Sequence, residues 1–154
     1  MLIHTCRHRL FSPPINHIES PYPPSEAPKI HPDNSKIDWK NQSARVIERY
    51  CGVLRTLWCR LGDSQELVRR KRVIFSSIEA WDEDAVTLED TKEPMPPGKW
   101  IYYETEPHLG VLLVKTKNGW INVGGIKIEG KTLTHGGEWA RSMAAHNKGP
   151  FCFT

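Results

Sequence analysis

The sequence predicts a small, mainly β domain: a closed or half-closed barrel of five or six short strands, with a helix before them and a short helix after them. Short apolar runs recur from residue 56 onward between Gly, Pro and Asn turn signals, which is typical of all-β domains. The 154 residues, 38% of them hydrophobic, allow one domain of ordinary size. Seven of the 12 prolines lie in residues 1–36. Because proline blocks helices and sheet ladders, this segment is predicted to be a disordered Pro-rich arm or interdomain linker.

The first helix is predicted to open the folded domain, which spans residues 37–146. Asp38 is placed to cap this helix, which would end near Gly52. The side of the helix that faces the core is formed by residues at helical spacing, namely Ile47, Tyr50, Cys51 and Leu54.

The strands are predicted from runs of apolar residues between turn signals. They cover residues 56–61, 67–81, 100–103, 109–115, 120–123 and 126–129. Asn118-Gly119 is a tight-hairpin signal, and Gly124-Gly125 is predicted to bend the chain between the last two strands. The oligonucleotide-binding barrel is one fold with this content of strands and helices.

A short helix is predicted to close the domain. Thr134 is placed as its cap, and the helical spacing turns Trp139 and Met143 towards the core. Residues 147–154 contain Gly and Pro and are predicted to form a tail.

Composition and motifs exclude several classes of protein. No run approaches the ~18 apolar residues of a membrane span, so no membrane association is expected. The cysteines form no C-x-x-C pair, so no zinc site is expected. Glycine-rich phosphate loops, the nucleophile elbow and the H-E-x-x-H motif are also absent from the sequence. We therefore expect no catalytic residue, no metal and no bound cofactor in this chain.

The net charge of +3 is unevenly distributed along the chain. Residues 38–75 carry nine Lys or Arg against four Asp or Glu, residues 76–110 carry two against nine, and residues 111–154 carry six against two. Basic blocks that fold onto one face form a binding surface for a polyanion. A solvated surface whose charges happen to cluster is the alternative interpretation.

The basic run at residues 69–72 is the main candidate for phosphate binding. A strand turns its side chains alternately to both faces, so at least two of these four cations would share one surface. The predicted polyanion-binding residues are Arg45, Arg49, Arg69, Arg70, Lys71, Arg72, Lys115, Lys117, Lys127 and Lys131. The lysines could instead protect strand edges from aggregation, and the two helical arginines could be solvated or pair with Glu48. Core packing is the favoured role of Trp58, Trp100 and Trp120, and base stacking is the alternative.

Short motifs follow one another in a fixed order between residues 27 and about 145. They are Ala27-Pro28-Lys29-Ile30, Ile37-Asp38-Trp39, Thr56-Leu57-Trp58, Pro97-Gly98-Lys99, Leu113-Val114-Lys115, Asn118-Gly119-Trp120, Leu133-Thr134 and Glu138-Trp139. In this order and spacing they resemble the linker and C-terminal domain of methionyl-tRNA formyltransferases, the mitochondrial form most of all.

The resemblance implies an oligonucleotide-binding-like barrel that binds initiator methionyl-tRNA in translation initiation. In that family a separate N-terminal domain transfers the formyl group of 10-formyltetrahydrofolate. Its catalytic Asn, His and Asp and its Ser-Leu-Leu-Pro signature have no counterpart in this sequence, so no catalytic residue is carried over. This chain alone is therefore expected to be a monomer that binds tRNA, with the formyl donor bound by a separate catalytic domain.

The location and two other functions stay open in the sequence. The first 18 residues contain Arg7 and Arg9 but no Asp or Glu, which favours a mitochondrial location, with the cytoplasm as the alternative. The chain could also be an interaction domain of another formyltransferase-like enzyme that binds no RNA, or an inactive truncated fragment.

Overall fold

The computed structural model describes residues 29–62, 71–81, 95–106, 109–146 and 152–154. The chain divides into two units, Met1–Ile30 and His31–Thr154, and every element below belongs to the second. A 3₁₀ turn at Pro32–Ser35 precedes helix α1 (Ala44–Leu54), and helix α2 spans Gly136–Ala145. The strands are β1 (Thr56–Gly62), β2 (Arg72–Trp81), β3 (Trp100–Glu106), β4 (Leu109–Lys115), β5 (Trp120–Ile128), β6 (Thr134–His135) and β7 (Cys152–Phe153).

The strands form one antiparallel sheet with the order β3-β4-β5-β2-β1-β7, and β6 pairs with β5 outside this path. The ladder does not close into a complete barrel. Within the described residues, its two ends meet where β7 lies beside the start of β3, through an isolated bridge between Lys99 and Cys152. The prediction of a mainly β domain with a helix at each end is confirmed, and the sheet is open.

The main core lies between the inner face of this sheet and the two helices. Its centre is an aromatic cluster around Phe153, which is 1% exposed. The ring centroid of Phe153 lies 5.0 Å from that of Phe75, and 6.1 Å from those of Trp39 and Trp139. Since aromatic side chains bury the largest apolar areas, this cluster makes a large contribution to the stability of the domain.

Helix α1 begins five residues later than predicted, at Ala44, with Ser43 in place of Asp38 as its N-cap residue. The prediction that Asp38 caps this helix is wrong, because the carboxylate of Asp38 closes a separate turn. It accepts hydrogen bonds from the Asn41 side-chain amide at 2.7 Å and from the backbone N–H of Lys40 at 3.1 Å. The Asn41 bond first, and then the backbone bonds, lower the pKa of Asp38 from its ordinary value.

Helix α1 continues to Leu54 and ends there because Arg55 adopts a left-handed φ of 69°. Of the predicted core residues, Ile47 and Cys51 are buried and Leu54 is half-buried. Tyr50 is 46% exposed, so the prediction that it packs in the core is wrong. It lies about 100° around the helix from Cys51, beyond the edge of the buried side.

Strand β5 is continuous, although two separate strands are predicted over these residues. Gly124 and Gly125 stay within the strand, and the buried positions of β5 shift by one residue across this pair. The buried positions of β2 also shift by one residue, at Ser77, which lies beside this glycine pair and has a φ of 53°. A Cβ on Gly125 would clash with the hydroxyl of Ser76, so the two strands bend together where one of them has no side chain.

Thr134 is part of β6, so the prediction that it caps the last helix is wrong. Helix α2 begins at Gly136 with His135 as its N-cap residue. A Cβ on either Gly136 or Gly137 would clash with a carbonyl oxygen of the sheet, so this pair allows the helix to start directly against β4 and β5. Trp139 is buried, as predicted for the inner side of the helix.

Residues 152–154 form part of the sheet, whereas the sequence predicts a tail there. The backbone N–H of Phe153 donates to the oxygen of Gly98 at 2.9 Å, and that of Arg60 donates to the oxygen of Thr154 at 2.8 Å. Gly98 has a φ of 87°, and a Cβ on it would clash with the carbonyl oxygen of Phe153. Burial of the Phe153 ring is the physical reason for this position, since a two-residue strand has little stability of its own.

The predicted hairpin at Asn118-Gly119 is confirmed. Gly119 has a φ of 90°, and its carbonyl oxygen accepts a hydrogen bond of 3.0 Å from the backbone N–H of Thr116. Residues 1–28 of the predicted arm, the turn after Gly62, the acidic segment 82–93 and residues 147–151 lie outside the described residues. None of the helices in the described ranges is both long and apolar enough to cross a membrane.

We expect Phe153→Ala to lower the free energy of unfolding by about 3–5 kcal/mol, because it empties the centre of the aromatic cluster. Denaturant unfolding followed by tryptophan fluorescence measures this change. The exposed Ser142→Ala on α2 serves as the control, for which we expect a change within about 0.5 kcal/mol. A loss below about 1 kcal/mol for Phe153→Ala would contradict a central role for β7.

Cys59 is expected to resist alkylation in the folded protein, because burial raises the pKa of its thiol well above 9.0. Among the three cysteines that the structure describes, half-buried Cys152 is expected to react with iodoacetamide at pH 8 before Cys51 and Cys59, as resolved by peptide mass spectrometry. The pKa of the Cys59 thiol is higher in the folded state than in the unfolded state. The contribution of Cys59 to stability is therefore complete below its unfolded pKa and is lost as pH rises above that value. Equal labelling rates of the two thiols in the native protein would contradict this prediction.

Candidate nucleic-acid interface

The outer face of β1, β2 and β5 carries a group of basic and aromatic side chains. Residues 57, 59, 73 and 75 point into the core, so the alternate residues point outward. The strand register places the outward residues in three rows, which are Thr56–Ser76–Gly125, Trp58–Ile74–Lys127 and Arg60–Arg72–Glu129. We call the surface formed by Lys36, Trp58, Arg60, Arg72, Ile74 and Lys127 the Trp58 face.

Trp58 lies at the centre of this face and is held there by contacts on several sides. Its indole Nε1 donates a hydrogen bond of 2.9 Å to the carbonyl oxygen of Pro32 in the 3₁₀ turn. The guanidinium carbon of Arg72 lies 4.5 Å from the ring centroid, and Nζ of Lys36 lies 5.7 Å from it. Each cation–π contact at such an exposed site contributes about 0.5–1 kcal/mol. The half-buried ring is therefore in contact with two cations and is held by one hydrogen bond.

Four of the residues that form the Trp58 face are exposed cations, namely Lys36, Arg60, Arg72 and Lys127. Glu129 stands at one end of this face, where its Oε2 accepts a hydrogen bond of 3.1 Å from the backbone N–H of Arg72. Arg60 and Arg72 are direct partners across the β1–β2 ladder. Like charges in this arrangement destabilise a sheet, and a bound anion would remove the repulsion. The Trp58 face is thus suited to bind phosphates.

The structure places only some of the predicted polyanion-binding residues on this face. Arg72 and Lys127 belong to it, and Lys71 is exposed directly before β2. Arg69 and Arg70 lie outside the described residues, so their positions stay predictions. Of the basic run, the structure therefore places Arg72 on the Trp58 face and Lys71 directly before it in the chain, and a binding role for either stays a prediction.

Arg45 and Arg49 are exposed on α1, which covers the inner face of the sheet. They are therefore separated from the Trp58 face by the core. Lys115 pairs with Trp120 at the start of β5, which precedes Lys127 by seven residues. The Nζ atom of Lys115 lies 5.1 Å from the ring centroid of Trp120. Lys117 and Lys131 are exposed in the turns before and after β5. The eight predicted residues that the structure describes therefore do not form one continuous strip.

Four members of the Trp58 face are absent from the predicted binding set, namely Lys36, Trp58, Arg60 and Ile74. Trp100 and Trp120 are buried, as the favoured core role predicts, whereas Trp58 is half-buried and faces outward. A period-two pattern in residues 56–61 was the available signal, because it places Trp58 and Arg60 on the side opposite Leu57 and Cys59.

Outside the Trp58 face, we looked at the described residues for a pocket or a metal site. A groove of about 440 Å³ lies at the start of α2, lined by Tyr102, Gly110, Val111, His135, Gly137, Glu138 and Arg141. Across the ranges that the structure describes, no three His, Cys, Asp or Glu side chains are placed to hold a metal ion.

Comparison with known proteins assigns most of the chain to one family. A family model described as the formyl transferase C-terminal domain matches residues 29–144. No curated protein matches the chain at a significant level. The matched region includes the whole Trp58 face and both helices except the last residue of α2, and it ends before β7.

The repulsion between Arg60 and Arg72 predicts a charge effect on stability. We expect Arg60→Glu to have a free energy of unfolding about 0.2–1 kcal/mol higher than the isosteric Arg60→Gln, because Glu places an opposite charge beside Arg72. Urea unfolding at low salt measures the difference, which should shrink in 0.5 M salt. A difference that is absent at low salt would show that the two arginines do not interact.

Proposed function

Since the chain belongs to the formyl transferase C-terminal domain family, we propose that it is the RNA-binding domain of a methionyl-tRNA formyltransferase and that it binds initiator methionyl-tRNA. The observation that carries this proposal is the Trp58 face, with four exposed cations around one outward-facing tryptophan. Family membership alone leaves the ligand open, because a domain of this kind can serve enzymes with different substrates.

Binding would begin with the phosphates of the RNA backbone. The cations of the Trp58 face displace counterions from phosphates, so affinity falls as salt concentration rises. The Arg60–Arg72 pair gains most from this contact, since a phosphate between the two guanidinium groups replaces repulsion by attraction. Arg72 donates through a planar fork that fits phosphate oxygens in pairs, which a lysine cannot reproduce.

Trp58 would add a contact to a base or ribose of an unpaired segment. Its ring is occupied on the Arg72 side by the guanidinium, at 4.5 Å from the centroid. If Arg72 turns towards a phosphate, that side of the ring becomes available to an unstacked base. Stacking on an aromatic side chain contributes about 1–3 kcal/mol per base.

In this proposal the domain holds the tRNA while a separate catalytic domain transfers the formyl group from 10-formyltetrahydrofolate. The purified chain is thus expected to bind tRNA as a monomer, without transferring a formyl group and without a cofactor of its own. We place this function in the mitochondrion, on the basis of the basic and acid-free first 18 residues, with the cytoplasm as the alternative.

The test is tRNA binding by the full chain over a salt series. We expect Arg60→Glu/Arg72→Glu to weaken the binding of fluorescent initiator tRNA at least tenfold at low salt, and to reduce the salt slope by roughly 1–2, because two phosphate contacts are lost. Fluorescence anisotropy measures both quantities, and an elongator tRNA tests specificity. The matched control is Lys40→Glu/Arg141→Glu, which reverses two exposed charges outside the Trp58 face.

Two outcomes would overturn the proposal. One is the absence of tRNA binding even at low salt, and the other is an equal loss of affinity in both double variants, which would indicate unspecific attraction to a basic protein. Formylation of methionyl-tRNA by the purified chain would contradict the assignment of the chemistry to a separate domain.

A second candidate function is an interaction domain of another formyltransferase-like enzyme that binds no RNA. One observation favours it: helix α1 exposes apolar side chains that the core does not use. In that case the Arg60→Glu/Arg72→Glu variant would assemble with its partner as the unmodified chain does.

A further inference from the structure

Ser77 adopts a backbone conformation in the middle of β2 that is unfavourable for a serine. Its φ of 53° is left-handed, and in the described ranges Arg55 is the other non-glycine residue with such a φ. Arg55 ends helix α1, which accounts for its conformation. A left-handed backbone crowds the Cβ of an L-residue, whereas glycine adopts it readily. The bend of β2 would therefore be more favourable with glycine at position 77, and a serine there indicates a use for its hydroxyl group.

Two successive residues of β2 turn away from the core at this point. Phe75 and Ile78 are buried in the core, and between them Ser76 is half-buried and Ser77 is exposed. The exposed Thr56 of β1 pairs with Ser76 across the ladder. Three hydroxyl groups are therefore neighbours on the outer face of the sheet.

Strand β5 carries no side chains beside these serines. Gly125 pairs with Ser76, and Gly124 lies beside Ser77. A Cβ on Gly124 would stand 2.9 Å from the Cβ of Ser77, and a Cβ on Gly125 would clash with the hydroxyl of Ser76. The two glycines therefore leave the space that the two serine side chains occupy. We call the group formed by Thr56, Ser76, Ser77, Gly124 and Gly125 the hydroxyl notch.

The hydroxyl groups of the notch are available to a ligand. No hydrogen bond within the described residues involves the hydroxyl group of Thr56, Ser76 or Ser77. Each hydroxyl group can donate one hydrogen bond and accept others. Leu133, which is 64% exposed, borders the notch, since its Cδ1 lies 3.5 Å from the position that a Cβ on Gly125 would take. A sugar has matching chemistry, because its hydroxyl groups alternate with C–H groups.

The notch adjoins the Trp58 face on the same side of the sheet. Its row Thr56–Ser76–Gly125 lies directly beside the row Trp58–Ile74–Lys127. The two rows are two residues apart along each strand, which is about 7 Å. The sugar of a nucleotide links its base to its phosphate. An RNA strand with a base on Trp58 and phosphates on the cations therefore brings a ribose within reach of the notch.

We propose that the hydroxyl notch binds the 2′-hydroxyl group of a ribose in an RNA strand that lies on the Trp58 face, and that this contact makes the domain bind RNA more tightly than DNA. The inference rests on the proposed RNA-binding function and adds to it the group that selects the sugar. A 2′-hydroxyl group is both a donor and an acceptor, and it distinguishes RNA from DNA at a given site. Serine and threonine hydroxyl groups can serve as its partner in both roles.

A phosphate contact is the alternative role of the same hydroxyl groups, since serine and threonine also donate to phosphate oxygens. Such a contact would be equal in RNA and DNA, whereas a contact to ribose is lost with the 2′-hydroxyl group. The cations of the Trp58 face already supply the charge that phosphates need, and the notch itself contains no cation. The observations therefore favour the sugar.

The test compares two oligonucleotides that differ only in the sugar. Oligouridylate and oligodeoxyuridylate of equal length carry the same bases and the same phosphates. Both are labelled with a fluorophore, and fluorescence anisotropy at low salt gives the affinity of the full chain for each. We expect the unmodified chain to bind the RNA about tenfold more tightly than the DNA, because the hydrogen bonds of the 2′-hydroxyl group are made by RNA alone.

Two variants remove the hydroxyl groups of the notch. Ser77→Gly also relieves the left-handed φ, so we expect its Tm to equal or exceed that of the unmodified chain. Thr56→Val/Ser76→Ala removes the other two hydroxyl groups and keeps a β-branched side chain at position 56. We expect each variant to lower the ratio of RNA affinity to DNA affinity about threefold, through weaker binding of RNA alone.

Ser142→Ala on the exposed side of α2 is the matched control, for which we expect an unchanged ratio. A purely structural role of Ser77 would raise Tm in Ser77→Gly without changing the ratio, which would overturn the inference. Equal or undetectable binding of the two oligonucleotides by the unmodified chain would also overturn it. The same holds for an equal loss of affinity for both oligonucleotides in the notch variants, since that result indicates phosphate contacts.

The outcomes for the notch and for the proposed function are distinguishable. Arg60→Glu/Arg72→Glu is expected to weaken the binding of both oligonucleotides to the same extent and to leave their ratio unchanged. If initiator tRNA binds in a salt-dependent manner while the ratio is one, the proposed function stands and the inference about the notch is wrong. If the unmodified chain binds no RNA, both are wrong.

Discussion

The register of β1, β2 and β5 is the constraint on which the rest of the domain depends. Trp58 lies opposite Ile74, which in turn lies opposite Lys127, and this row faces outward while Phe75 faces the core. A slip of one residue would exchange the two faces of a strand, exposing Phe75 and forcing cations towards the core. The burial of the core therefore determines where the cations stand.

The backbone positions of the three sheet cations of the Trp58 face, Arg60, Arg72 and Lys127, are consequently set by the burial of the core. Arginine side chains on a surface loop would lose conformational freedom on binding, whereas those on a central sheet begin from a fixed backbone. Like charges directly opposite each other in a sheet destabilise it by about 0.2–1 kcal/mol, which is small compared with the stabilisation from an aromatic cluster such as that around Phe153. The fold can thus retain a locally unfavourable pair at the position where an anion would bind.

Structural elements that depend on a local sequence pattern could be predicted from the sequence. Asn118-Gly119 predicts its hairpin because the turn itself needs a glycine with positive φ. Asp38 and Thr134 have side chains of the capping type. Asp38 instead closes a local turn with Asn41, three residues further on, whereas Thr134 pairs with β5, which only the tertiary structure brings beside it. The period-two pattern of residues 56–61 indicates the outward position of Trp58, but the contacts that hold its ring depend on partners far away in the sequence, among them Pro32.

Strand β7 has a consequence for how the domain forms during synthesis. It pairs with β1 across about 90 residues of intervening sequence, and it supplies the ring at the centre of the core. As the chain leaves the ribosome, β1 and β2 emerge long before Phe153, so the site that receives this ring stays open while the remaining strands are made. Contacts between residues so distant in sequence form slowly, and a nascent chain exposes apolar surface until they do. Completion of this core therefore waits until about 90 residues after β1 have been made, and nascent-chain chaperones can bind the unfinished sheet during that interval.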